Sequence, residues 1–241
     1  MRTIRAPVYW CAAAVAAALW LAMLYAGNWA GAPNQGLLRS LYMGPRSPML
    51  GSTIGLTKLG GWVSLTVLTI GAAGFLIYRR RPTRAALLLL TVFGGRMVVE
   101  LQKLVFAHPR PDATEHLVRV SSMSFPSAHA ANSMITFIAI ASLIPMAPRW
   151  RVPAIATGIL LSMAIGLSRI ALGVHWPADV IGGWAFGVAW VLLWFGLARA
   201  RPEAEAELAN PATRNRVGRS FILRVKERKH GKSEDRQRPR P

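Results

Sequence analysis

SFPSAHAANSMITFIAIASLIPM, residues 124–146, is the stretch on which the fold turns. Its second half is apolar and uncharged, yet it opens on a proline, small residues and a histidine, an odd entry into a hydrophobic helix. The segment at about 127–147 approaches the ~20 residues that a helix needs to cross a bilayer. Five more apolar segments flank it, at about 8–26, 54–78, 84–107, 152–172 and 177–198. Hydrophobic residues make up 53% of the 241 positions, and only Glu100, Asp112, Glu115 and Asp179 are acidic before residue 199. The chain therefore reads as an all-α, six-span integral membrane protein.

The net charge of +19 suggests nucleic acid in a soluble protein, but the cations here cluster between apolar runs, which is how topology signals are laid out. Nucleic-acid binding is set aside on that pattern. Arg2 and Arg5 precede the first span, Arg79, Arg80, Arg81 and Arg84 lie between spans two and three, and Arg149 and Arg151 separate spans four and five. With six crossings these clusters and the basic tail share one side, the cytoplasm, and residues 27–53, 108–126 and 173–176 fall outside. The first span also resembles a signal peptide, with Ala30-Gly31-Ala32 as a cleavage site, but its length and Pro33 directly after the cut favour a retained helix. Residues 1–198 are read as one membrane domain. Residues 199–241, with 13 Lys+Arg against 6 Asp+Glu, are read as a basic, disordered cytoplasmic tail, or one drawn to anionic headgroups. Cys11 is the single cysteine, so no intrachain disulfide forms. Oligomeric state is not legible.

Ionisable residues inside a bundle are costly. Lys103, Arg110, His129, Arg169, His175 and Asp179 come from four different spans or their ends, and parity brings all of them to one outer level. Lys103, Arg110 and Arg169 supply three cations suited to phosphate oxygens. After Pro126, the amides of Ser127, Ala128 and His129 lie at a helix start, where unpaired N–H groups and the helix dipole favour an anion. Pro177 opens the last helix, so Asp179 can reach back about one turn to His175. A carboxylate on one imidazole nitrogen fixes the tautomer and frees the other lone pair for attack. His129 has no acid within a turn, and beside bound phosphate it can hold a proton to give to a leaving oxygen. Taken singly, each of these is an ordinary cap or a snorkelling side chain; together they describe phosphoryl transfer. With no acidic cluster for magnesium, the cationic side chains would carry the transition-state charge.

Lys103-(six residues)-Arg110-Pro111, Pro126-Ser127-Ala128-His129 and Ser168-Arg169-(five residues)-His175-(three residues)-Asp179 resemble the three signature motifs of the type 2 phosphatidic acid phosphatase (PAP2) superfamily. The resemblance implies a six-helix bundle with its active site at the extracytoplasmic ends of spans three to six. It implies His175 as the nucleophile of a phosphohistidine intermediate, Asp179 as its orienting group, and His129 as the acid that later helps activate water. It gives Lys103, Arg110, Ser127, Ala128 and Arg169 to phosphate binding, with no metal and no cofactor. The substrate expected is a membrane lipid phosphate: undecaprenyl pyrophosphate first, then phosphatidylglycerophosphate or phosphatidic acid. A phosphotransferase using the same intermediate, or a non-catalytic lipid-phosphate binder, stays open.

Two departures stand out. Ala128 replaces the usual glycine, which matters if that position needs a positive φ or close approach of phosphate. His108 stands where many relatives have a further arginine. Arg96, Glu100 and Lys103 share one face of span three, read as a buried ion pair positioning Lys103, with substrate contact by Glu100 as the alternative. Lys58 is either a snorkelling residue or a further headgroup contact.

Overall fold

The computed structural model describes residues 6–29, 31–112 and 114–209, with side chains described at 7–25, 31–112 and 114–198. Among the described residues there are eight helices and no strand: α1 (Ala6–Trp29), α2 (Gly31–Leu41), α3 (Leu50–Leu59), α4 (Trp62–Tyr78), α5 (Pro82–Phe106), α6 (Ala128–Leu143), α7 (Pro148–Ala171) and α8 (Pro177–Ala209). The chain divides into two units, Met1–Phe195 and Gly196–Pro241. The site lies in the first.

Proline sets three of the starts. Pro82, Pro148 and Pro177 each begin a helix, where the missing N–H costs nothing and φ is already helical. At its far end α5 stops at Ala107, which turns left-handed at φ 46° and donates its N–H to the Lys103 carbonyl. Pro109 and Pro111 then keep the chain extended.

Four helices are long and apolar enough to cross a membrane: Pro7–Tyr25, Pro82–Phe106, Pro148–Ala171 and Pro177–Ala198. The predicted second span is instead a pair, α3 and α4, bent by 43°, which counts as a fifth crossing if the two act as one. The break falls at Gly60-Gly61, where the Lys58 carbonyl accepts both the Gly61 N–H at 3.0 Å and the Ser64 hydroxyl at 2.8 Å. The predicted fourth span is α6, at 16 residues about 24 Å long, shorter than the ~30 Å hydrocarbon core. Residues 27–53, expected as an outer loop, include α2 and the start of α3. Two glycines and a proline within Gly31–Leu41 disguise that helix. It is held by fully buried Leu38, which packs with Ala130, Ile170 and Val180, and by Asn34 Oδ1, which accepts the Ala178 N–H at 3.1 Å. The last helix also runs past the expected boundary at 198 to Ala209. Residues 210–241 of the predicted tail lie outside the described residues.

α6 is the central helix. Ile135, Ala139 and Leu143 recur every four residues along it and pack against Leu76 of α4 and Leu88 and Val92 of α5. On its other side Gly183 and Gly187 of α8 bring two backbones together: a Cβ at Gly183 would stand 2.8 Å from the Ser127 carbonyl, and one at Gly187 would stand 2.9 Å from Met134 Cβ. Such a small-xxx-small pair is how membrane helices approach closely. Outward-facing Val15, Val67, Leu90, Met97, Leu104 and Leu160 are exposed, as expected of surface that meets lipid.

Candidate active site

The start of α6, the end of α5, the end of α7 and the α7–α8 turn meet at one end of the bundle. Lys103, Arg169, His175 and Asp179 are buried there to 3%, 4%, 2% and 0% exposure. Charged groups at that depth need partners or a ligand. A cavity of about 790 Å³ is lined by Lys103, Arg110, Ala128, His129, Arg169 and His175, so six of the eight predicted site residues share one space. Ser127 and Asp179 do not line it.

Asp179 sits behind His175. Its Oδ2 lies 3.5 Å from His175 Nδ1 and accepts the Trp176 N–H at 2.9 Å and the Ser124 hydroxyl. Ser124 Oγ is also 3.2 Å from Nδ1. On the other side of the ring, Arg110 Nη1 stands 3.2 Å from Nε2. A guanidinium only donates, so the lone pair belongs on Nε2 and the proton on Nδ1, toward Asp179 and Ser124. His175, in the turn between α7 and α8, has its pKa pushed well below the usual histidine value, first by burial, with the Asp179 hydrogen bond opposing and the Arg110 charge adding to the drop. The ring is held neutral with its lone pair on the cavity side. The turn that carries it depends on Gly173, at φ 74°, where a Cβ would meet the Glu115 carbonyl at 2.8 Å.

The α5–α6 loop ties the cations down. Lys103 Nζ donates to the Met123 carbonyl at 2.6 Å. Arg110 donates to the carbonyls of Ser122 (2.7 Å) and Val174 (2.6 Å). Arg169 Nη1 donates to Thr57 Oγ1 on α3 at 3.0 Å, while its buried Nε has no hydrogen-bond partner among the described residues. Asn132 Oδ1, on the same cavity wall, is likewise buried and unpartnered. The open Arg169 N–H, buried beside Lys103 and Arg110, is a donor suited to an anionic oxygen.

At the start of α6, Ser127 is the cap residue in extended conformation. Its N–H does not face the anion site as expected, because it donates to the Asp179 backbone carbonyl at 3.0 Å. The amides of Ala128 and His129, in the first turn, have no carbonyl within the helix to pair with. Ala128 is helical and not among the positive-φ residues, so a glycine is not demanded there by backbone conformation. His129 has no hydrogen-bond partner among the described residues. It packs instead against the α3–α4 elbow, where a Cβ on Gly60 would lie 3.3 Å from His129 Cδ2.

The sequence reading missed Ser124, Thr57 and the role of His108. Ser124 carried no signal beyond lying two residues before Pro126. His108 does not face solvent as a weaker arginine would; it is buried with Nδ1 3.5 Å from Asp179 Oδ1, on the face of the carboxylate opposite His175. The buried ion pair expected within the Arg96, Glu100 and Lys103 stripe is not formed: Glu100 is exposed in the cavity, Arg96 lies over the Trp62 ring at 5.6 Å, and Lys103 is held by the Met123 carbonyl.

The PAP2 superfamily profile matches residues 84–203, from early α5 into α8. Phosphatidylglycerophosphatase B of Bacillus subtilis is 34% identical over 150 residues, 59% of this chain and 72% of that protein. An undecaprenyl-diphosphatase of Sulfolobus acidocaldarius is 30% identical over 149 residues, 58% of this chain and 66% of that one. The crystal structure of a transmembrane PAP2-type phosphatidylglycerolphosphate phosphatase from Bacillus subtilis superposes with a TM-score of 0.71 at 26% identity, covering 78% of this chain and 96% of the other. The family match, the identity to these relatives and the matching bundle lead to one assignment: the chain belongs to the PAP2 superfamily.

Proposed function

We propose that the protein is a multi-pass membrane phosphatase that removes phosphate from a lipid phosphate or diphosphate through a phosphohistidine on His175. The observation that carries this is the His175 ring, held neutral between Asp179 and Arg110 with its Nε2 lone pair on the cavity side. Names of relatives support the substrate class, since those compared act on phosphatidylglycerophosphate and undecaprenyl diphosphate.

In the first step Nε2 attacks phosphorus, the bond to the leaving oxygen breaks, and His129 gives that oxygen its proton. Lys103, Arg110 and Arg169, with the first-turn amides of α6, hold the charge that builds on the phosphoryl oxygens. Arg110 must slide off Nε2 onto phosphate as substrate enters, which exposes the lone pair only when an anion is present. In the second step water attacks the phosphohistidine, His129 takes the water proton, and the N–P bond breaks to release phosphate. Asp179 holds the Nδ1 proton throughout and stabilises the charge on the phosphorylated ring. No step calls on a metal.

The six-crossing arrangement belongs to this reading, with α3–α4 as one bent span and α6 as a short one. So does a cytoplasmic location for both termini, which puts the cavity at the outer headgroup level, where a lipid can enter sideways. Residues 1–198 form the catalytic domain and the remainder a basic appendage. Phosphate release from a panel of lipid phosphates, with excess chelator and with His175→Ala, is the test. Metal-independent release lost in the variant is expected; chelator-sensitive release that survives the substitution would refute the mechanism.

A further inference from the structure

The cavity that holds the phosphate cluster continues past it. Beyond Lys103 its wall is formed by Glu100 and Arg96 on α5, by Lys58 at the end of α3, and by Arg119 in the α5–α6 loop. None of these belongs to the motifs. Arg96 is fixed by Trp62, the first residue of α4, through the 5.6 Å cation–π contact. No protein acceptor takes the Arg96 N–H groups among the described residues, so they can donate to an anion. Lys103 is fixed elsewhere, on the Met123 carbonyl. The two cations are thus held by different partners.

The order of charges along α5 carries the inference. Arg96 and Lys103 are seven residues apart on α5, about 10 Å along the axis. Glu100 lies between them on the same face, exposed and without an ion-pair partner among the described residues. A diphosphate held at the Lys103 end would bring its second phosphate up against the Glu100 carboxylate. An order of cation, carboxylate, cation fits an anion, a hydroxyl donor and a second anion. We infer that Arg96 and Glu100, with Lys58 and Arg119 at the rim, form a second subsite for a headgroup whose terminal phosphomonoester is joined through a short hydroxylated linker to an inner phosphodiester. The inner phosphate sits on Arg96, the hydroxyl donates to Glu100, and the acyl chains leave between the α3–α4 elbow and α5, where Trp62, Val63, Met97 and Leu101 are exposed.

This inference rests on the proposed phosphatase reading and selects among its substrates. The experiment measures kcat/KM in mixed micelles for phosphatidylglycerophosphate, undecaprenyl diphosphate and phosphatidic acid. With Arg96→Met, the preference for phosphatidylglycerophosphate over phosphatidic acid is expected to fall about ten-fold, mainly through KM, and Arg96→Lys is expected to restore part of it. With Glu100→Gln, turnover of undecaprenyl diphosphate is expected to rise relative to phosphatidylglycerophosphate. An unmoved substrate ratio, or an equal loss of kcat on every lipid, overturns the subsite while leaving the phosphatase reading in place. If the unmutated protein releases phosphate from none of the three, the phosphatase reading fails and the subsite fails with it.

Discussion

The two histidines of the cavity are held in opposite ways. His175 is gripped on both nitrogens, by Asp179 and Ser124 at Nδ1 and by Arg110 at Nε2. His129 touches the glycine elbow between α3 and α4 and has no hydrogen-bond partner among the described residues. A ring gripped on both sides keeps one tautomer and one direction, as an attacking atom must. A ring left open can take a proton and return it within one cycle. The contrast teaches that environment, not residue type, is what separates the two proposed roles.

Substitutions can break that contrast in a graded way. His175→Ala should cost at least about 10⁴-fold in kcat on every substrate, because the proposed mechanism takes its attacking lone pair from this ring. Asp179→Asn should cost about 10³- to 10⁴-fold by releasing the tautomer while the ring stays in place. His129→Ala should cost about 10²- to 10⁴-fold on a lipid phosphate, and markedly less in the phosphorylation step of an aryl phosphate whose leaving group needs no proton. An equal loss on both leaving groups would remove His129 from the acid role. Ser124→Ala should cost about ten-fold, since it removes one of the groups that hold Asp179 and Nδ1.

The pH profile sharpens the same comparison. The pKa of His175 is depressed, so the nucleophile stays neutral below the usual histidine value of about 6.5, and the acid limb of kcat/KM that it sets should fall below that pH. For stability the sign is the same. The unfolded chain binds a proton at this site that the folded one refuses, so the contribution is complete above about pH 6.5 and declines as pH falls toward the folded pKa. Thermal unfolding followed from pH 8 to pH 5 checks this, with the slope diminished in His175→Gln. The smallest effect expected is that of Ala128→Gly: Ala128 is already helical, so the change should move kcat/KM by no more than about three-fold.

Much of this site was legible because its residues are chemically expensive where they stand. Lys103, Arg169 and Asp179 in apolar segments have no cheap reason to be there, and six of eight chosen residues line one cavity. What stayed hidden was cheap in sequence. Ser124 and Thr57 are ordinary polar residues whose importance comes only from what the fold puts beside them. α2 was hidden because its Gly and Pro content reads as loop, and only the burial of Leu38 and the reach of Asn34 make it a helix. The elbow at Gly60-Gly61 was visible as glycines, but its consequence was not: it breaks the second span, lets α3 reach Arg169, and opens the groove that Trp62 and Arg96 line.

The central claim is that phosphorus passes through His175 Nε2. Rapid mixing with a terminally labelled lipid phosphate, an alkaline quench and peptide mapping test it directly. The account predicts an alkali-stable, acid-labile label on the peptide that contains His175, absent in His175→Ala. Full phosphate release with no labelled intermediate at any time, or a label carried by another residue, would contradict it.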